Sequence, residues 1–251
     1  MATVCCALTI AGSDSGGGAG IQADLKTFAA LGVHGMSAIT AITAQNTTAV
    51  TAVQDVRLEV IRAQIEAVVK DIGVDAAKTG MLHTKDIIRV VAEEVRRHGF
   101  PTVVDPVMIA KSGARLLQQD AVNALMERLL PNVTIVTPNA PEASALSGLR
   151  VKDIETAKEA AKKISELGPK AVVVKGGHIP SRGKVVDILY EGGKFHTFEV
   201  DEISTKTTHG TGCTFSSAIA AYLARGENIR DAVRLAQRFV HNAIRFGTPV
   251  G

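Results

Sequence analysis

Short apolar runs that end in glycine or polar residues alternate with amphipathic segments along nearly the whole chain, and this alternation constrains the fold more than any other feature. "VCCALTIAG" (4–12) reads as a buried strand, and "IQADLKTFAALG" (21–32) as a helix that stops at glycine. "GMSAITAITAQN" (35–46) is rich in β-branched residues and reads as a strand. "LEVIRAQIEAVVKDIG" (58–73) is an amphipathic helix, "AAKTGM" (76–81) a short strand, and "TKDIIRVVAEEVRRHG" (84–99) a helix with Thr84 as N-cap and glycine at its end. "TVVDPVM" (102–108), "VTIVTPN" (133–139) and "KAVVVKGG" (170–177) are further buried strands. Helices fall between them over 120–131, with Asp120 as its cap, and over about 153–167. "VDILYEGGKFHTFEV" (186–200) alternates around Gly-Gly and predicts the one antiparallel hairpin, at a sheet edge; two helices follow.

Strands in alternation with helices predict an α/β fold with a mostly parallel sheet covered on both faces. No linker, repeat or low-complexity stretch divides the 251 residues, which predicts one domain over 1–251. Hydrophobic residues are 46% and aromatics 4%, so the core is aliphatic. A net charge of +3 gives no basis for nucleic-acid binding. Apolar runs are too short to cross a membrane, and no secretory leader is expected. Three cysteines, two of them adjacent, do not make a disulfide framework and predict a reducing, cytoplasmic setting.

In sheets of this kind ligands lie beyond the carboxyl ends of the strands. The segments there, "GSDSGGGAG", "QN", "KTGM", "DPVM", "TPN" and "KGGH", are polar and glycine-rich and predict a site for an anion. A Walker A loop is absent. Gly177–Lys184 has five residues between its glycines instead of four, and Val185 stands where Ser or Thr is needed. "GGGAGI" (16–21) and "GTGCTF" (210–215) both lack the last glycine of a dinucleotide fingerprint.

"GTGC" still has the right physics. Gly210, Thr211 and Gly212 precede a strong helix former, so free amides and the helix dipole converge on one spot that suits an anion or a transferring phosphoryl group. Cys213 in the first turn has two readings. Its thiol pKa falls from roughly 8.5 to 7 or below and it serves as a base, or it is a small buried hydrophobe.

"TIAGSDSGGGAGIQADLKTFAALGVHGMSAITAITAQNT", "KTGML", "VVDPVMIAKSG", "TPNAPEA", "VVVKGGH" and "THGTGCTFSSAIAA", taken in order, resemble the hydroxymethylpyrimidine and phosphomethylpyrimidine kinases of thiamin biosynthesis, within the ribokinase superfamily. The resemblance covers essentially the whole chain. It implies a three-layer αβα sandwich, ribokinase-like, and phosphoryl transfer from ATP with Mg²⁺. Gly210, Thr211 and Gly212 would form the anion hole, and Cys213 falls where many superfamily members carry a catalytic aspartate. The pyrimidine would be bound by Gln45, Asp24 and Gly12, with Met81 and Val107 sandwiching the ring. Asp105, Asn139 and Lys175 would serve the nucleotide phosphates, and Glu142 would hold Mg²⁺, through water. Lys111, Ser112 and Gly113 would sit in a lid, and His209 would either contact the nucleotide phosphates or support the loop, outside the catalytic set. One departure is visible: the first loop reads "SDSGGGAG" where relatives more often read like "SDPSGGAG". The resemblance further implies a homodimer, and it leaves a pyridoxal or pyridoxine kinase, or a dual-specificity pyrimidine/pyridoxal kinase, as the alternative. A nucleotide-binding regulator without turnover is disfavoured by the presence of Cys213, Asn139 and Glu142.

Overall fold

Strand β1 (Cys6–Ala11) is buried throughout and lies one strand in from an edge of the main sheet. The computed structural model describes residues 4–108, 117, 119–205 and 208–248. Helix α1 (Gly20–Ala30) carries the chain from β1 to β2 (His34–Ile39), which lies parallel to β1 at one edge. After α2 (Leu58–Asp71) the chain returns to the other side of β1 as β5 (Ala76–Thr79). It then moves steadily outward through α3 (Lys85–His98), β6 (Thr102–Val104), α4 (Gln119–Ala124), β7 (Ile135–Val136), α5 (Ala140–Ser147), α6 (Ile154–Ser165) and β8 (Ala171–Val174). The hairpin of β9 (Lys184–Glu191) and β10 (Lys194–Asp201) adds two antiparallel strands at the far edge, and α7 (Thr211–Ala224) and α8 (Ile229–Phe246) close the chain. The sheet order is β10-β9-β8-β7-β6-β5-β1-β2, so the winding reverses between β1 and β5. A crevice opens at such a switch point, beyond the strand ends.

Alternation along each strand feeds two cores. Leu8, Val104, Val136, Val172 and Val174 face the layer of α2 to α6. Ala7, Val103, Ile135, Ala171 and Val173 face α1, α7 and α8. Successive side chains of a strand point to opposite faces, so one apolar run supplies both layers. The second layer packs closely because its helix α7 offers mainly small residues, Ser216, Ser217, Ala218, Ala220 and Ala221, all buried. Each fully buried Leu or Ile contributes roughly 1.5–3 kcal/mol, and the many such residues on both faces hold the three layers together.

Four expectations change. The stretch 35–46 is not one strand. It breaks at buried Thr40, whose hydroxyl donates to the Met81 carbonyl at 2.8 Å. Beyond the break β3 (Ala41–Gln45) leaves the main sheet and pairs antiparallel with β4 (Val50–Asp55), so the described residues hold two hairpins instead of one. The predicted strands 102–108, 133–139 and 170–177 shorten to β6, β7 and β8. Pro106 and Pro138 cannot donate to a ladder, and the residues around them turn into the crevice. Asp120 does not cap its helix; it lies within the first turn and pairs with Lys85 at 3.0 Å. That helix continues through a π-helical turn (Leu125–Leu129) and a 3₁₀ turn (Leu130–Asn132). The expected lid residues Lys111, Ser112 and Gly113 lie outside the described residues.

Candidate active site

Two glycine-rich segments meet at the crevice. The loop after β1 is held by Asp14, almost wholly buried, whose carboxylate accepts from the amides of Gly16, Gly18 and Ala19 at 2.8–3.1 Å. The same carboxylate bonds His209 Nε2 at 3.0 Å, which ties the loop to the residues that start α7. His209 therefore supports the loop. The two segments touch so closely that position 210 must be glycine. A Cβ there would lie 1.7 Å from the Gly18 carbonyl oxygen, and the backbone adopts φ +82°.

Gly210 is the N-cap of α7 and makes no side-chain cap bond. Thr211 and Thr214 donate their amides to Thr208 and Gly210, but the amides of Gly212 and Cys213 find no protein acceptor among the described residues. These are the orphan donors of a helix start, backed by its dipole. Facing Gly212 is an ion pair: Lys175 Nζ donates to Asp105 Oδ1 at 2.9 Å. A Cβ on Gly212 would lie 3.5 Å from that ammonium and 3.6 Å from Asp105 Oδ2. Burial opposes the Lys175 charge, but Asp105 and Glu142 override it and hold its pKa above the ordinary lysine value.

Asn139 caps α5 in a reciprocal box, its Oδ1 accepting from the Glu142 amide at 2.9 Å while Glu142 Oε2 accepts from the Asn139 amide at 2.8 Å. Glu142 Oε1 also accepts from the Met108 amide at 3.4 Å. Burial pushes the Glu142 carboxyl up, Lys175 pulls it down and Asp105 adds to the rise, with a net upward direction. Among the described residues no group of His, Cys, Asp or Glu side chains is arranged to hold a metal by itself. Asp105, Glu142, Asn139 and Lys175 thus come together at the ends of β6, β7 and β8, with Lys175 and Asn139 side by side in an isolated bridge.

On the other side of the α7 start is a narrow pocket of about 50 Å³, walled by Gly12, Gln45, Met81, Val107, Lys78 and Cys213. Gln45 Oε1 accepts from Thr43 Oγ1 at 3.3 Å, its backbone amide donates to Ser15 Oγ at 2.8 Å, and its side-chain Nε2 makes no hydrogen bond among the described residues. Val107 holds φ +37°, a strained setting for a β-branched residue, on the pocket wall. Gly12 is packed against Met81, whose Cε would lie 2.7 Å from an added Cβ.

One expectation fails here, and of the two readings of Cys213 the acidified thiol is the one that the structure does not support. Asp24 does not reach the pocket. It has no accessible surface, and its carboxylate is taken up by Thr9 Oγ1 at 2.6 Å, by Lys78 Nζ at 2.9 Å to each oxygen, and by Ser217 Oγ. The inner face of α1 presents it to the sheet rather than to a ligand. The Cys213 thiol is not acidified. Burial pushes its pKa up to about 11, with Asp24 and Asp105 adding to the rise, while Lys78 and the Gly20 amide oppose it. Desolvation outweighs the helix dipole, and the sulfur instead receives the otherwise free Gly20 amide at the start of α1. Sequence reasoning passed over Lys78 and the Asp14–His209 bond. A lysine inside "AAKT", in a strand otherwise apolar and β-branched, was the available signal for the first.

A switch-point crevice with free helix-start amides, a half-buried cation beside them and a narrow pocket next to Cys213 defines a class: a phosphotransferase of ribokinase-like fold. The comparisons with known proteins agree. A family model described as phosphomethylpyrimidine kinase matches residues 14–251. The hydroxymethylpyrimidine/phosphomethylpyrimidine kinase of Bacillus subtilis is 48% identical over 246 residues, covering 98% of this chain and 91% of that protein. The thiamine biosynthesis bifunctional protein of Geobacter sulfurreducens is 50% identical over 245 residues, which is 97% of this chain but only 50% of that protein. An ADP complex of Bacillus subtilis pyridoxal kinase superposes with a TM-score of 0.91 at 43% identity, covering 99% of this chain and 95% of that one. The chain belongs to the phosphomethylpyrimidine kinase family.

Proposed function

We propose that the protein transfers the γ-phosphoryl group of ATP to 4-amino-5-hydroxymethyl-2-methylpyrimidine, and then to the monophosphate so formed, giving the diphosphate used in thiamin biosynthesis. One observation carries the reading: the unpaired amides of Gly212 and Cys213 lie between the Asp105–Lys175 pair and the slot of Gln45, Met81 and Val107. The nucleotide phosphates enter on the first side and the ring on the second. Gln45 suits the ring because a carboxamide donates to a ring nitrogen and accepts from an exocyclic amine.

In the first step the hydroxymethyl oxygen forms a bond to the γ-phosphorus while the bond to the β–γ bridging oxygen breaks, its electron pair leaving with ADP. The hydroxyl proton passes to an oxygen of the transferred phosphoryl group and is lost to water from the new phosphate ester. A loose transition state demands little of a base, so a neutral Cys213 thiol positions the hydroxyl rather than deprotonating it. The Gly212 and Cys213 amides and Lys175 stabilise the charge on the moving phosphoryl group. The donor set suits a hydrated Mg²⁺ bound to ATP: Asp105 and Glu142 offer hard carboxylate oxygens at the phosphate side, where the ion would neutralise phosphate charge. Three free thiols fit a cytoplasmic setting, and the exposed Ile42, which shares the open face of the β3–β4 hairpin with Ala44 and Ala52, offers a surface on which a second copy packs to make a homodimer. No described helix is long and apolar enough to cross a membrane.

The test is ADP release measured with the hydroxymethylpyrimidine, with pyridoxal, and without acceptor. Turnover stimulated by the pyrimidine supports the reading. The likeness to a pyridoxal kinase makes pyridoxal the second candidate acceptor, and stimulation by pyridoxal alone would replace the pyrimidine with it.

A further inference from the structure

Lys78 stands in the interior strand β5 with no accessible surface. Burying an ammonium costs several kcal/mol, and an ion pair returns that only with good geometry. A well-packed apolar pair is often as stable, so structure alone gives little reason for a lysine here. Its geometry is specific. Nζ donates to both oxygens of Asp24, each at 2.9 Å. Asp24 is fixed in turn by Thr9 and Ser217, from β1 and α7. An ammonium has three hydrogens, and the third finds no acceptor among the described residues. Lys78 also lines the pocket shared by Cys213 and Gly12. Position 80 is shaped around it, since a Cβ on Gly80 would lie 2.8 Å from Nζ and 2.9 Å from Ala11 Cβ.

We propose that Lys78 is a catalytic residue whose third N–H contacts the attacking oxygen of the acceptor, with Asp24 as the clamp that aims it. The proposal rests on the reading that the acceptor occupies this pocket. As the acceptor oxygen bonds to the γ-phosphorus and gives up its proton, it passes through a state of greater negative charge. A fixed ammonium in a water-excluded site stabilises that charge without moving and without losing a proton. The charged and titratable groups around Lys78 are Asp24 on α1, Cys213 on α7 and Asp105 after β6. Burial opposes the lysine charge, but Asp24, then Cys213 and Asp105, hold its pKa above the ordinary value, so it stays charged throughout turnover.

Replacing Lys78 alone strands a buried carboxylate, so the test uses the charge-neutral pair Asp24→Asn with Lys78→Gln in the full chain. The expected result is a cooperative melt close to wild type, a KM for ATP within about threefold, and a kcat for the pyrimidine lower by ~10²–10³. A folded double variant with kcat within about threefold of wild type overturns the proposal, because a purely structural pair would give that result. If the double variant does not fold, Lys78→Arg decides. It keeps the pair with Asp24 but displaces the donor, so the expected loss in kcat is ~10-fold or more, and an undiminished kcat overturns the proposal. A wild-type protein that turns over no ring acceptor overturns both this proposal and the functional reading beneath it. An active wild type with an active double variant overturns this one alone.

Discussion

Cys213 shows how a single residue's chemistry is set by what surrounds it. A helix start favours the thiolate, but here burial and two nearby carboxylates outweigh the dipole, Lys78 and the Gly20 amide, and the thiol is held up to about 11. The folded state therefore binds this proton more tightly than the unfolded chain, whose thiols titrate at about 8.5. That contribution to stability is fully present below the unfolded value and is lost as pH rises through the folded one. Melting temperature should fall between about pH 8.5 and 11, more in wild type than in Cys213→Ala, and iodoacetamide should alkylate this thiol slowly at pH 8. A thiol that reacts at pH 8 like a free thiolate would mean that burial is not in control. Gly210 sets a second residue-scale limit. Gly210→Ala places a methyl group against the Gly18 carbonyl at a positive φ, and the backbone strain alone costs ~1–3 kcal/mol. Thermal unfolding should shift downward, and kcat should fall with it because the Gly212 amide moves.

At the scale of elements, the site is made from the places where strands stop. Helix α5 begins with the Asn139–Glu142 box, which fixes Glu142 beside Lys175. Asn139→Ala should cost ~1 kcal/mol of stability, measured by denaturant unfolding, and should raise the KM for ATP more than it lowers kcat. A change in kcat alone would place Asn139 in the chemical step instead. Legibility also divides by element. Long periodic segments such as α2, α3 and α6 were readable, as was the β9–β10 hairpin, whose Gly192 and Gly193 both hold positive φ. The β3–β4 hairpin was not, because "VTAVQD" is short, mostly exposed and paired off the main sheet. The predicted strands overran β6, β7 and β8 because they took in the residues beyond the last apolar position, Asp105–Pro106, Thr137–Pro138 and Lys175–Gly176, where proline, glycine and the site take over.

Across the whole molecule, the candidate site residues converge although they come from far apart in the chain. Asp14 and His209 are 195 positions apart and in hydrogen-bond contact, and Lys175 meets Asp105 across 70 positions. Sequence motifs pointed to most of these residues, but which of them face the ligand depends on the third dimension. Asp24 resembled a pocket residue, but its carboxylate is taken up behind the pocket wall, a distinction set by its partners on β1, β5 and α7. The architecture also predicts where the molecule opens first. Strands β1, β5 and β6 have neighbours on both sides, whereas β4 is bonded on one side only and largely exposed. Amide exchange should be slowest in the former and fastest in the β3–β4 hairpin. Equal protection in β4 in solution would indicate that its open edge is covered, as a second copy of the chain would do.

The most direct measurement of the account as a whole is a crystal structure with a non-hydrolysable ATP analogue and the hydroxymethylpyrimidine bound together. The γ-phosphoryl oxygens should accept from the Gly212 and Cys213 amides with Lys175 alongside, and the ring should lie between Met81 and Val107 with Gln45 on its edge. Terminal phosphates bound away from the start of α7 would contradict the account.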